Sequence, residues 1–170
     1  MKNVNMIVAC DLNGGIGYKN DLPWNKNKED MRWFKNNTNG HIIVMGKNTW
    51  NSIGANPLPN RINYIVTSKS SLHLDFEDNM RTLNPLHIHL PVQIEDLSKK
   101  YPDLKIWIMG GAKLYNALYP YCENLYLTLI EKECHCDTYL NNSIFEIFQK
   151  KVHEERLNEY SLVKILKKGK

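Results

Sequence analysis

Five short apolar runs recur along the chain: VNMIVA at 4–9, HIIVM at 41–45, NYIVTS at 63–68, KIWIM at 105–109 and NLYLTLI at 124–130. Each is rich in β-branched or aromatic residues and continuous rather than alternating, and a strand that is apolar on both sides must be covered on both faces. Helical patterns at 27–37, 49–54, 92–100 and 112–119 lie between them. This alternation predicts an α/β fold: a single three-layer domain with a mainly parallel, twisted central sheet flanked by helices. The tail reads differently. FEIFQKKVHEER and EYSLVKILKK mix polar and apolar residues around Leu157-Asn158, which predicts an antiparallel C-terminal hairpin at the sheet edge. The stretch from about 69 to 90 holds the turn-like SKSSLHLDFEDN and room for one more short strand.

The 170 residues, 42% hydrophobic and 24% charged, suit one soluble domain over 1–170. A net charge of +4 with dispersed lysines does not point to nucleic acid, and an anionic small ligand suits it as well. The N-terminal MKNVNMIVAC is interrupted by Asn3 and Asn5, which argues against a signal peptide, and no run reaches the length of a membrane span. A cytoplasmic protein with reduced cysteines is expected. Cys10, Cys122, Cys134 and Cys136 lack a framework spacing, and Cys134-His135-Cys136 has no second ligand pair to close a zinc site, so it reads as a loop. His87 and His89 alternate and read as surface residues.

One charge is out of place. With about 100° per residue, Asp30 at zero has Phe34 near 40°, Met31 near 100° and Trp33 near 300°. Lys28, Glu29, Arg32, Lys35 and Asn36 occupy the far side of the same wheel. Asp30 is therefore the single inward-facing charge, and a buried carboxylate needs a partner or a ligand.

In open α/β sheets ligands bind beyond the carboxyl ends of the strands. After the first run comes CDLNGGIGYKNDLPW, a glycine-bearing loop without apolar periodicity, suited to a lid over residues 11–24. Gly46-Lys47-Asn48-Thr49 follows the second run and Gly110-Gly111 follows the fourth, each opening a helix. Two such junctions present backbone N–H groups to phosphate, and a dinucleotide pyrophosphate is the natural guest. Neither junction carries a GxGxxG or a GxxxxGK[ST] pattern.

The ordered set VAC, GIGYKNDLPWN, Asp30 with Phe34, IVMGKNTWNSI, PLPNR, IVTS, IMGGAKLY, LYLTLI and DTYL closely resembles the dihydrofolate reductase family over about residues 4–140, and more loosely through the terminal hairpin. The resemblance implies reduction of 7,8-dihydrofolate to tetrahydrofolate, with hydride passing from NADPH to C6 and protonation at N5 through solvent water, in support of one-carbon metabolism and thymidylate synthesis. It implies that Asp30 grips N3 and the 2-amino group of the pterin, that Thr128 supports it, and that Trp24 holds a water nearby. Ile7, Val8, Ala9, Met31, Phe34, Ile53, Leu58, Met109 and Tyr115 would line the substrate pocket, with the Ile7 and Met109 carbonyls facing the other pterin edge. Arg61 would bind the α-carboxylate of the glutamate tail. Ala9, Ile16, Gly17, Gly46, Lys47, Asn48, Thr49, Thr67, Ser68, Gly110, Gly111, Ala112, Lys113 and Leu114 would contact NADPH, and Gly110-Gly111 matches a pair that in this family is joined by a cis peptide.

This chain departs from the family pattern in places. Ala112 stands where many relatives have a third glycine, Lys47 where they have arginine, and Asn48 where they have histidine or a basic residue. Lysine keeps the charge without the planar fork, so a softer preference for NADPH over NADH is expected. One extra residue lies between Trp24 and Asp30, and the helix start lacks a proline often found there. Other readings compete: a related pteridine or pyrimidine reductase on the same fold, or, from a different class, a nucleotide-binding protein that has lost catalysis or a subunit that docks on thymidylate synthase. Arg61 favours a ligand with a glutamate tail, and intact Asp30 and Trp24 favour an active enzyme. A monomer coupled functionally to thymidylate synthase is expected, with no metal, nucleic-acid or membrane partner.

Overall fold

Residues 1–68, 79–86 and 88–169 are described by the computed structural model, so the turn-like stretch 69–78 and His87 lie outside it. The first strand, β1 (Val4–Cys10), is followed by a short strand β2 (Gly15–Gly17) and helix α1 (Lys28–Thr38). Then come β3 (Ile42–Gly46), α2 (Lys47–Ser52), β4 (Ile62–Val66) and β5 (Met80–Leu83). Helix α3 (Leu90–Lys100), β6 (Ile106–Ile108), α4 (Ala112–Leu118) and β7 (Asn124–Ile130) complete the parallel part. The chain ends with β8 (Thr138–Tyr139), α5 (Asn142–Ile147), β9 (Phe148–Asn158) and β10 (Ser161–Lys168).

Among the described residues the main sheet has eight strands in the order β5-β4-β3-β6-β1-β7-β10-β9. Pairings from β5 to β7 are parallel, and β10 runs antiparallel to both β7 and β9. The α/β reading and the edge hairpin are thus borne out, and the additional short strand is β5.

The strands are covered on both faces, as their continuous apolar runs require. Val4, Met6, Val8 and Cys10 of β1 join Ile42, Val44, Ile106 and Ile108 in one core, packed by Ile94 of α3, Leu118 of α4 and Ile144 of α5. The intervening residues Ile7, Ile43, Met45, Ile65 and Trp107 point to the opposite face, where they meet Trp50 of α2 and Phe34 of α1. The period of two in side-chain direction sorts a single apolar run into two cores.

Three local expectations differ from the structure. The stretch FEIF does not begin a strand: Asn141 caps α5 by accepting from the Ser143 N–H at 3.0 Å, and β9 starts only at Phe148. Four apolar and charged residues fit either period, and the cap decides. The hairpin turn is at Glu159 and Tyr160, because strand pairing continues through Asn158. The lid is not a plain loop, since Gly15–Gly17 pair antiparallel with Thr138–Tyr139.

Candidate active site

Helix α1 is placed by its cap. The side-chain oxygen of Asn27 accepts the Asp30 N–H at 3.2 Å, which satisfies one of the free donors of the first turn and fixes where Asp30 enters the helix. Asp30 is half-buried, and Thr128 Oγ1 donates to its Oδ1 at 2.6 Å. Thr128 lies on β7 directly across from Ala9 on β1, and is itself buried. Burial raises the Asp30 carboxyl above its ordinary range, and the Thr128 hydrogen bond pulls against that rise. Among the described residues Thr128 is the one hydrogen-bond partner of this carboxylate, and the bond uses Oδ1 alone.

Several of the other expected pocket residues share one packed cluster. Phe34, Ile53, Leu58 and Met109 pack against the core that contains Ile7. Tyr115, buried on α4, donates from its hydroxyl to the Ile7 carbonyl at 2.9 Å. Burial, with Asp30 and Cys10 nearby, raises the Tyr115 pKa strongly, so it remains a neutral donor. Val8 is buried and turned to the other core, and Ala9 is half-buried. Met31 is 53% exposed at the helix rim, so the covered arc of α1 is narrower than the wheel predicts. Trp24 is half-buried in the connection before α1.

Arg61 is buried and held by its own loop. Its Nε donates to the Pro59 carbonyl at 2.8 Å and one terminal nitrogen donates to Thr38 Oγ1 at 3.2 Å. Arg61 lines a cleft of about 380 Å³ together with Lys35, Asn39, Pro59 and Asn60. Two partners leave some of its five N–H groups for a carboxylate, and Lys35 adds a second positive charge. Sequence reasoning overlooked the group that fixes this loop, Asn63. Fully buried on β4, it accepts from the Leu58 N–H at 2.9 Å and donates to the Leu58 and Arg61 carbonyls at 3.0 and 3.1 Å. An asparagine inside the run NYIVTS was the available signal.

The two glycine junctions meet. The Gly46 N–H donates to the Gly110 carbonyl at 2.7 Å, and the Gly110-Gly111 peptide is cis. Gly110 has φ +121°, and a Cβ there would lie 3.3 Å from the Tyr115 hydroxyl and 3.4 Å from Thr49 Oγ1, so only glycine suits the position. A Cβ on Gly46 would sit 3.7 Å from the Gly110 and Gly111 backbone. Lys47 and Thr49 are half-buried at the start of α2, Asn48 is exposed, Thr67 is buried, and Ser68 and Lys113 are exposed. Ala112 is half-buried and Leu114 is buried in α4. Cations, hydroxyls and backbone amides without a carboxylate among positions 46–49, 67–68 and 110–114 fit an anionic dinucleotide.

Ile16 and Gly17 are half-buried in the lid, whose root is a carboxylate that sequence reasoning also overlooked. Asp11, 1% exposed, accepts from the Asn13 and Gly15 N–H groups at 2.9 and 2.8 Å through Oδ1. Its Oδ2 accepts from the Cys134 N–H at 2.9 Å and the Cys136 thiol at 3.5 Å. Burial pushes the Asp11 carboxyl up, but these donors outweigh it and hold the carboxyl below its usual range. Among the described residues no group of three His, Cys, Asp or Glu side chains is arranged to hold a metal ion, and no helix is long and apolar enough to cross a membrane.

The family model described as dihydrofolate reductase matches residues 3–166. A dihydrofolate reductase of Buchnera aphidicola (subspecies Baizongia pistaciae) is 38% identical over 98% of both chains, and that of Bacillus subtilis is 38% identical over 76% of this chain and 70% of its own. A bifunctional dihydrofolate reductase-thymidylate synthase of Paramecium tetraurelia is 38% identical over 87% of this chain, which spans only 30% of that relative. The solved dihydrofolate reductase of Enterococcus faecalis, in complex with NADP(H) and RAB-propyl, superposes with a TM-score of 0.76 at 23% identity over 98% of this chain and 96% of its own, and shares the fold.

Proposed function

Since the chain belongs to the dihydrofolate reductase family and is an NADPH-dependent reductase of dihydrofolate, we propose that its chemistry runs between the Asp30 carboxylate and the two glycine junctions. The observation that carries this reading is the 2.6 Å hydrogen bond from buried Thr128 on β7 to half-buried Asp30 in the first turn of α1. A carboxylate oriented by one donor accepts two further hydrogen bonds from an amidine-like edge, here N3 and the 2-amino group of the pterin. Its raised pKa follows from the same burial and suits a site where a proton must reach N5 of the ring. Trp24 keeps the water that carries this proton at the mouth of the site.

Phe34, Ile53, Leu58 and Met31 close on the faces of the ring and the linker, which excludes bulk water. Tyr115 holds the Ile7 carbonyl from within, and that carbonyl with the Met109 carbonyl marks the far edge of the pterin. Arg61 takes the α-carboxylate of the glutamate tail with the N–H groups that Pro59 and Thr38 leave free. NADPH, when bound, supplies the hydride to C6. Gly46 to Thr49, Thr67, Ser68 and Gly110 to Leu114 would hold its pyrophosphate and 2′-phosphate, and Ala9, Ile16 and Gly17 would border its nicotinamide.

Residues 1–170 act as one catalytic unit, monomeric and cytoplasmic. Functional coupling to thymidylate synthase is supported by the fused Paramecium relative. The test is oxidation of NADPH on addition of dihydrofolate, and turnover is expected. NADPH binding with dihydrofolate left intact would move the substrate to another pteridine or a pyrimidine.

A further inference from the structure

The N-cap of α1 is part of a closed ring of side chains. Asn27 Nδ2 donates to Ser161 Oγ at 3.2 Å, Ser161 Oγ donates to Asn158 Oδ1 at 2.7 Å, and Asn158 Nδ2 donates back to Asn27 Oδ1 at 3.0 Å. Asn27 and Ser161 are buried, at 4% and 0% exposure, so the bond between them forms out of reach of competing water, while Asn158 is half-buried. Two of the three members stand at the turn of the C-terminal hairpin, where Asn158 ends β9 and Ser161 begins β10. Asn158 Nδ2 also reaches Glu29 Oε2 at 3.3 Å, and Trp33 further along α1 stacks on His153 of β9, with ring centroids 6.4 Å apart and planes 3° from parallel. The hairpin therefore grips α1 at its first turn and again near its middle.

Both bonds that locate Asp30 lead back to this hairpin. Its backbone N–H is held by Asn27, the ring member, and its carboxylate is held by Thr128, whose partner across the strand pair is Val163, two residues beyond Ser161 on β10. A carboxylate that must meet two donors of a planar ring tolerates little displacement, because a shift of about 1 Å can cost about a hundredfold in rate. A cap freed from its ring would let the first turn of α1 drift relative to β7. We propose that Asn158 and Ser161 are positioning residues for Asp30, setting the reach of its carboxylate through the Asn27 cap. This rests on the reading of Asp30 as the residue that grips the substrate.

The experiment measures dihydrofolate dissociation constants by quenching of tryptophan fluorescence, NADPH dissociation constants in the same way, and steady-state kcat and KM. The variants are Asn158→Ala, Ser161→Ala, Asp30→Asn and the double variant Asn158→Ala/Asp30→Asn. Each hairpin variant is expected to weaken dihydrofolate binding and lower kcat/KM about tenfold, with the NADPH constant within about twofold of wild type. In the Asp30→Asn background, Asn158→Ala is expected to add little to the loss, since its effect passes through the carboxylate. Wild-type dihydrofolate affinity in both hairpin variants would overturn the proposal. So would a tenfold loss that persists undiminished in the Asp30→Asn background, or a parallel loss of NADPH affinity, since either would mark a general loosening of the fold. Undiminished dihydrofolate binding in Asp30→Asn alone would instead overturn the role of Asp30 itself.

Discussion

Thr128 Oγ1 donates to Asp30 Oδ1 across 2.6 Å, joining β7 of the central sheet to the first turn of α1. The bond opposes the burial that lifts the Asp30 pKa. Thr128→Val keeps the shape and removes the donor, so the carboxyl pKa rises further and the acid limb of the kcat/KM profile moves to higher pH. At neutral pH kcat/KM falls about ten- to hundredfold, the range for a lost hydrogen bond to a charged group. A profile that superposes on wild type would remove Thr128 from the site.

Asp30 also sets a trade between function and stability. Its folded-state pKa lies above the unfolded value, so the favourable contribution is fully present below the unfolded pKa and is lost as pH rises through the folded one. Asp30→Asn should therefore unfold at a higher temperature than wild type at neutral pH. The gap should close as pH drops below the ordinary aspartate range. Calorimetry across that window checks the sign, and a variant less stable than wild type at neutral pH would contradict it.

The root of the lid behaves in the opposite sense. The Asp11 carboxyl is held below its ordinary range, so its contribution is present above the unfolded pKa and is lost only as pH falls through the lower folded value. Asp11→Ala leaves the N–H groups of Asn13, Gly15 and Cys134 without this acceptor and should cost about 2–4 kcal/mol in urea unfolding at neutral pH. Burial and the neighbouring Asp11 charge push the Cys136 thiol up to about 11, so wild-type Cys136 should alkylate slowly at neutral pH. Rapid alkylation would mean that the thiol does not stay protonated beside Asp11.

What could be read from the chain followed from the range of the forces involved. The strands were visible because a two-sided β-strand concentrates its apolar residues in one short run, as at 41–45. Asp30 was visible because helix periodicity exposes a misplaced charge within a single turn. Asp11 and Asn27 were not, because each appears in the sequence only as a polar residue, and partners such as Cys136 and Ser161 lie 125 and 134 positions away. Arg61 was assigned through the resemblance alone. It donates to Thr38 and to the Pro59 carbonyl, and neither contact can be inferred from PLPNR.

In the proposed reading Arg61 meets the substrate tail rather than the reacting ring. Arg61→Leu should raise KM for dihydrofolate about a hundredfold while changing kcat little, since a bidentate contact made equally in ground and transition state affects binding alone. A KM near wild type would take Arg61 and its cleft out of the binding site.

The most direct test is a single-turnover measurement of hydride transfer, in which the NADPH complex is mixed with dihydrofolate and NADPH absorbance is followed for wild type and Asp30→Asn at neutral pH. Rapid oxidation by wild type and a rate lower by about a hundredfold or more in the folded variant is the predicted result. Equal rates in the two proteins would contradict the assignment of the buried carboxylate as the group that holds the substrate for reduction.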